Sequence, residues 1–162
     1  MIEEFNMNNL EVMFSSKTDQ WATPQSFYDR LNEEFNFTLD PCADATNHKC
    51  ENYFTAEDDG LLQDWGGHTV FCNPPYGSKE TGDWTKKCYE ESLKPHTTVV
   101  LLIPARTDRK SFHDYICEKA EIRFVCGRLK FGNGENSAPF PSMVVVFGEK
   151  ANVGIVKTIK NN

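Results

Sequence analysis

Two apolar runs constrain this chain more than any other feature. "HTVFCNPP" (68–75) and "TTVVLLIPAR" (97–106) lack the polar alternation of a strand with one wet face, so each reads as a strand buried on both sides. Between them "TGDWTKKCYEESLK" (81–94) carries a helical pattern. Upstream, "TPQSFYDRLNEEF" (23–35) predicts a helix with Thr23 as N-cap, Pro24 at the first helical position, and Phe27, Leu31 and Phe35 on one face. "FNFTLDPCA" (35–43) then reads as a short strand ending at Asp40-Pro41, and "DRKSFHDYICEKA" (108–120) as a further helix. The segment 121–148 reads as two strands around a Gly/Asn/Pro-rich loop, a hairpin-like finish to the sheet. Strands and helices in this order predict an open three-layer α/β sheet, mostly parallel, with ligands held beyond the carboxyl ends of the strands.

The 162 residues suit one domain, expected over 21–150, with 1–20 as a mobile arm and 151–162 as a tail. Between Asp40 and the strand at 69–72, the acidic stretch 44–67 shows at most one short strand, near Tyr53 and Phe54. No apolar run approaches the roughly 18 residues that cross a bilayer, and the acidic N-terminus is unlike a secretory signal, so a cytosolic protein without membrane contact is expected. Six scattered cysteines, without a CxxC pair, read as free thiols; Cys42, His48 and Cys50 lack a second pair to complete a zinc site, and no metal is predicted.

A formal charge of −7 argues against a polyanionic partner, yet its distribution is uneven. Residues 1–100 carry 7 Lys/Arg against 18 Asp/Glu, whereas 101–162 carry 10 against 6, so nucleic acid would dock on the second part only.

The end of the strand at 69–72 is chemically unusual. In Asn73-Pro74-Pro75-Tyr76 the prolines hold the chain extended and offer no N–H, so the corner presents acceptors, the Asn73 side-chain oxygen and the Pro74 carbonyl, beside the flat ring of Tyr76. That shape fits an amino group on a planar ring. Such a nitrogen is a poor nucleophile because its lone pair is delocalised; two acceptors on its hydrogens favour a pyramidal geometry that frees the pair for an electrophile such as a sulfonium methyl.

"NPPY" resembles the catalytic motif of amino-methyltransferases that use S-adenosylmethionine. Together with "DQWATPQSFYDRL", "FTLDPCAD" and "GRLKFGNGENSAPFPSMVVVF", it makes the chain similar to the phage-type DNA N6-adenine methyltransferase (Dam-like) family over about Asp19 to Phe147. The resemblance implies an abbreviated, single-domain Rossmann-like fold with a C-terminal antiparallel hairpin, S-adenosylmethionine as cofactor, and double-stranded DNA as partner. It assigns Asn73, Pro74, Pro75 and Tyr76 to the target base, and Thr23, Pro24, Asp40, Cys42, Ala43 and Asp64 to the cofactor. Glu57 and Asp58 are the candidates for its ribose. The first strand's turn reads "DPCAD", without the usual glycines, and only 33 positions separate Asp40 from Asn73.

An adenine inside a duplex must be flipped out, at a cost of roughly a few kcal/mol. Arg106, Arg109, Lys110, Arg128 and Lys130 are the candidates to hold phosphates around it, and Phe131 or Phe140 to cover its other face or wedge the duplex. An RNA base or a protein glutamine amide as acceptor, or a catalytically idle nucleic-acid-binding module, stay open as alternatives, as does the choice between monomer and homodimer.

Overall fold

The computed structural model describes residues 21–162; the arm expected over 1–20 lies outside them. Five strands form one sheet, β1 (Thr69–Cys72), β2 (Thr98–Pro104), β3 (Glu121–Cys126), β4 (Ser142–Gly148) and β5 (Val156–Lys160), in the order β1-β2-β4-β3-β5. β1 and β2 are parallel, β4 runs antiparallel to both β2 and β3, and β5 is parallel to β3. Four strands therefore point one way and β4 alone is reversed. Two bridges extend the sheet past β1: Leu39 pairs with Val70 and Asp40 with Tyr53, both parallel.

Side-chain alternation along the strands builds two cores. Val70, Cys72, Val99, Leu101, Ile103, Met143 and Val145 face one way and pack with Trp84 and Cys88 of α2 (Ser78–Ser92). Phe71, Val100, Leu102, Val144 and Val146 face the other and pack with Phe27, Tyr28, Leu31 and Phe35 of α1 (Gln25–Phe35). Every residue of β2 is buried, because both faces are covered. The three layers expected from the sequence are present.

Local departures have physical causes. α1 is preceded by Pro24 in extended conformation rather than capped by Thr23, whose hydroxyl is used elsewhere, and it ends at Asn36 in the left-handed region (φ 55°), with the Asn32 side chain accepting from Phe37 N at 2.8 Å. The helix expected over 108–120 shrinks to a π-helical turn, Phe112–Ile116, because the backbone turns extended at Cys117 and left-handed at Glu118 (φ 63°). The tail expected over 151–162 supplies β5, an edge strand whose mostly exposed side chains gave no apolar signal. Gly60 is forced by packing: a Cβ there would stand 2.1 Å from the Pro41 carbonyl, so only glycine lets the 60–62 turn close on the segment after Asp40.

A buried ion network ties α1 to the far half of the sheet. Arg123, 5% exposed, grips Glu34 through Nη1 and Nη2 at 2.6 and 2.7 Å and Glu121 through Nε at 2.7 Å. Glu121 also meets Lys157 Nζ at 3.1 Å and accepts from Asn152 N at 2.9 Å. The Arg123 hydrogen bonds hold the Glu34 carboxyl below its usual range; burial pushes Glu121 up, but Asn152 N–H, Arg123 and Lys157 together bring it lower. Carboxylates lowered on folding contribute stability above their unfolded value of roughly 4.3, and it is lost as pH falls through the folded value. Arg123→Met is therefore expected to cost about 3 kcal/mol at neutral pH by leaving buried Glu121 short of a partner, and to shrink the loss of stability seen below about pH 4. Chemical denaturation across pH checks both.

Candidate functional site

The strand order reverses beside β1. The chain leaves Leu39-Asp40, pairs on one side at Tyr53, and returns on the other side as β1. A parallel sheet opens a crevice at such a reversal, above the carboxyl ends of the strands. A cleft open to solvent lies there. Asp40, Cys42 and Ala43 line it from one strand end, and Asn73, Pro74 and Pro75 from the next. Thr23 forms part of the wall.

Asp40 is 5% exposed. Its Oδ2 accepts from Lys49 N at 2.9 Å and its Oδ1 from Cys42 N at 3.3 Å, so the loop 44–49 folds over the carboxylate. Burial raises the Asp40 carboxyl above its usual range, against the pull of those N–H groups. Each oxygen keeps a lone pair, so the group can still accept from a ligand. Burial also pushes the neighbouring Cys42 thiol up to about 12, which makes it a wall and not a nucleophile.

Asn73 is held by three groups. Its Nδ2 donates to Trp21 O at 2.7 Å and to Thr23 Oγ1 at 3.0 Å, and its Oδ1 accepts from the Tyr76 hydroxyl. Two acceptors on one end of the amide fix which end is nitrogen, so Oδ1 is the end turned toward Tyr76, with a second lone pair to spare. The Pro74 carbonyl accepts no hydrogen bond among the described residues. The Asn73 amide is thus oriented by the segment ahead of α1 and by Tyr76.

Tyr76 is not the open plate expected from the sequence. Its ring is half-buried between the two cores and surrounded by Trp21, Phe131 and Phe140 at 5.9, 5.9 and 5.5 Å between centroids, the two phenylalanines edge-on. Trp21 in turn lies 5.1 Å from Phe140. Four rings fill the space above the corner. Phe131, only 5% exposed, is part of this cluster and is not free to wedge a duplex.

Other expected site residues fall apart from the cleft. Asp64 precedes β1 at the amino end of the sheet, exposed, with Lys94 Nζ at 2.7 Å and Gly66 N at 2.8 Å on its Oδ1. It is not among the residues that line the cleft. Glu57 and Asp58 also do not line the cleft, and Asp58 accepts from the Thr55 N–H and hydroxyl. Pro24 borders the wall through its neighbour Thr23. Asn47, Lys49 and Trp21 also line the cleft, and the first two carry no sequence signal beyond their closeness to Asp40.

The basic candidates share the edge that carries the corner. Arg106 follows β2 and is exposed; Arg109 donates to Ser78 O at 3.3 Å, and Lys110 pairs with Asp114. Arg128 and Lys130 are exposed just after β3. Ala105 N donates to Pro141 O at 2.8 Å, which joins the end of β2 to the loop carrying Arg128 and Lys130.

A sequence model of the family described as DNA N-6-adenine-methyltransferase (Dam) matches residues 12–162. A protein of Haemophilus phage HP1 named DNA N-6-adenine-methyltransferase is 31% identical over 151 residues, covering 88% of this chain and 86% of that one. A protein of the same name from Escherichia phage T1 is 27% identical over 134 residues, covering 72% of this chain and 55% of that one.

Burial raises the Tyr76 phenol well above its usual value. A spectrophotometric titration of the folded protein should therefore lose no phenolate amplitude near pH 10 on Tyr76→Phe. A loss would mean that the ring is open to water.

Proposed function

The chain belongs to the DNA N-6-adenine-methyltransferase (Dam) family, and from that premise we propose that it transfers a methyl group from S-adenosylmethionine to N6 of adenine in DNA. The observation that carries the reading is the placement of a buried carboxylate, Asp40, and the Asn73-Pro74 acceptors on adjacent strand ends of one cleft. The sheet, with β4 alone reversed between β2 and β3, supports reading it as an abbreviated Rossmann-like methyltransferase fold closed by an antiparallel pair.

The residues of the cleft suit the cofactor. Asp40 retains lone pairs for an amino or ammonium group, Ala43 and Phe71 give apolar wall, and Thr23 and Pro74 border the path to Asn73. When bound, S-adenosylmethionine would supply an electrophilic methyl carbon on a positively charged sulfur, the leaving group being the neutral thioether. Asn73 Oδ1 and the Pro74 carbonyl accept the two N6 hydrogens and localise the lone pair. The extra proton left on N6 passes to water, so no side chain needs to act as a strong base. Tyr76 steadies Asn73 through its hydroxyl, and its ring borders the space for the base. A flipped adenine reaches the corner as the Trp21 ring gives way. Arg106, Arg109, Lys110, Arg128 and Lys130, along the same edge, hold the DNA backbone around it.

Incubation with methyl-labelled cofactor and duplex DNA, RNA or protein in turn should place label on N6-methyladenine of DNA; label on an RNA base or on glutamine instead would refute the reading. Asn73→Ala should cut transfer by roughly a hundredfold or more while cofactor affinity stays within a few-fold. Asp40→Ala should weaken cofactor binding first. Because burial raises the Asp40 carboxyl, cofactor affinity should fall in mild acid as that group takes up a proton, and Asp40→Asn should flatten this dependence in calorimetric titrations.

A further inference from the structure

A second groove opens beside the aromatic cluster, lined by Trp21, Phe131, Asn133, Asn136, Ser137 and Pro139. Its far wall is the loop 127–141, which rises from the end of β3 and returns to the start of β4 on the edge that carries Asn73. The stem of this loop is fixed. Leu129, Phe131, Ala138 and Phe140 are buried, Ala138 N donates to Leu129 O at 2.8 Å, and Gly132 N donates to Ala22 O at 2.9 Å.

The tip, 132–137, is exposed throughout. It turns through Gly132 (φ 66°) and Gly134 (φ 77°), left-handed positions that favour glycine. Asn133 Oδ1 accepts from Glu135 N at 3.1 Å, so that side chain holds the turn. Asn136 and Ser137, by contrast, face the groove with no hydrogen bond among the described residues. A rigid stem thus presents an unpaired amide and an unpaired hydroxyl beside the ring that borders the methylation corner. Arg128 and Lys130 flank them, and Glu135 is the sole acid between 127 and 141.

We propose that the loop 127–141 is the sequence-reading element of this protein, with Asn136 as the specificity-determining residue that reads a base pair adjacent to the target adenine. This rests on the reading of the chain as a DNA adenine methyltransferase. A carboxamide offers a donor and an acceptor side by side, the pattern that pairs with N6 and N7 of adenine in the major groove. Ser137 supplies a less selective contact to the same step. The basic pair at the stem holds the backbone and carries no sequence information.

The test is methylation of a duplex library in which one adenine is flanked by randomised positions, followed by sequencing of the methylated products. The wild type should favour particular flanking bases. Asn136→Ala should lower the preference at one flanking position roughly tenfold, the loss of one two-bond base contact, with an unchanged melting temperature as the control for folding. Arg128→Ala with Lys130→Ala should instead weaken DNA binding on all sequences and reduce its salt dependence by about one unit per contact, leaving the preference intact. A wild type that methylates adenine with no flanking preference, or an Asn136→Ala variant with the wild-type preference, would overturn the inference while leaving the proposed activity standing. A wild type that labels no DNA adenine would overturn both.

Discussion

Two-sided burial of β1 and β2 is the constraint on which the rest of the molecule depends. A polar side chain inside such a strand costs free energy unless a partner is built for it. Along β1 and β2 the polar groups of the site therefore sit past the strand ends. Thr69–Cys72 delivers Asn73 and Thr98–Pro104 delivers Arg106 on one edge, and the reversed β4 brings the loop before it to that edge as well. Asp40 joins them because the short pairing of Leu39 with Val70 runs parallel to β1. The site is a consequence of where a doubly covered sheet permits charge and hydrogen bonding.

The amide of Asn73 joins the segment ahead of α1, about fifty residues away in sequence, to Tyr76, three residues further along the chain. Trp21 and Thr23, ahead of α1, accept from its nitrogen; Tyr76, at the start of the path into α2, donates to its oxygen. Trp21 also packs against Phe131 and Phe140 from the loop between β3 and β4. One tryptophan therefore touches both that loop and, through its carbonyl, the Asn73 amide. In the structure the four rings fill the place beside the corner, so the proposed entry of a base requires an aromatic side chain to move.

Much of this was legible in the sequence, for identifiable reasons. Unbroken apolar runs mark doubly covered strands, and two consecutive prolines mark a stiff corner, so β1, β2 and Asn73-Pro74-Pro75-Tyr76 could be placed before any geometry was known. Thr23 was read as a helix cap because a hydroxyl before proline ordinarily serves that purpose; only the fold reveals that Asn73 takes it. Asp64 is not among the cleft's lining residues, and an acidic loop with many carboxylates carries no local sign of which of them will be. The edge strand β5 and the cleft residues Asn47 and Lys49 were silent, the first because it is mostly exposed, the others because a hydrogen bond from the Lys49 N–H to Asp40 depends on no side-chain identity.

The central claim is that the crevice between the ends of the Leu39-Asp40 segment and β1 is where the methyl donor meets the acceptor corner. A crystal structure of the full chain with S-adenosylhomocysteine, the demethylated cofactor, tests it most directly. The account predicts the ligand in contact with Asp40 and Thr23, its sulfur turned toward Asn73 and Pro74. Density at any other place on the protein, with that crevice still empty, would contradict it.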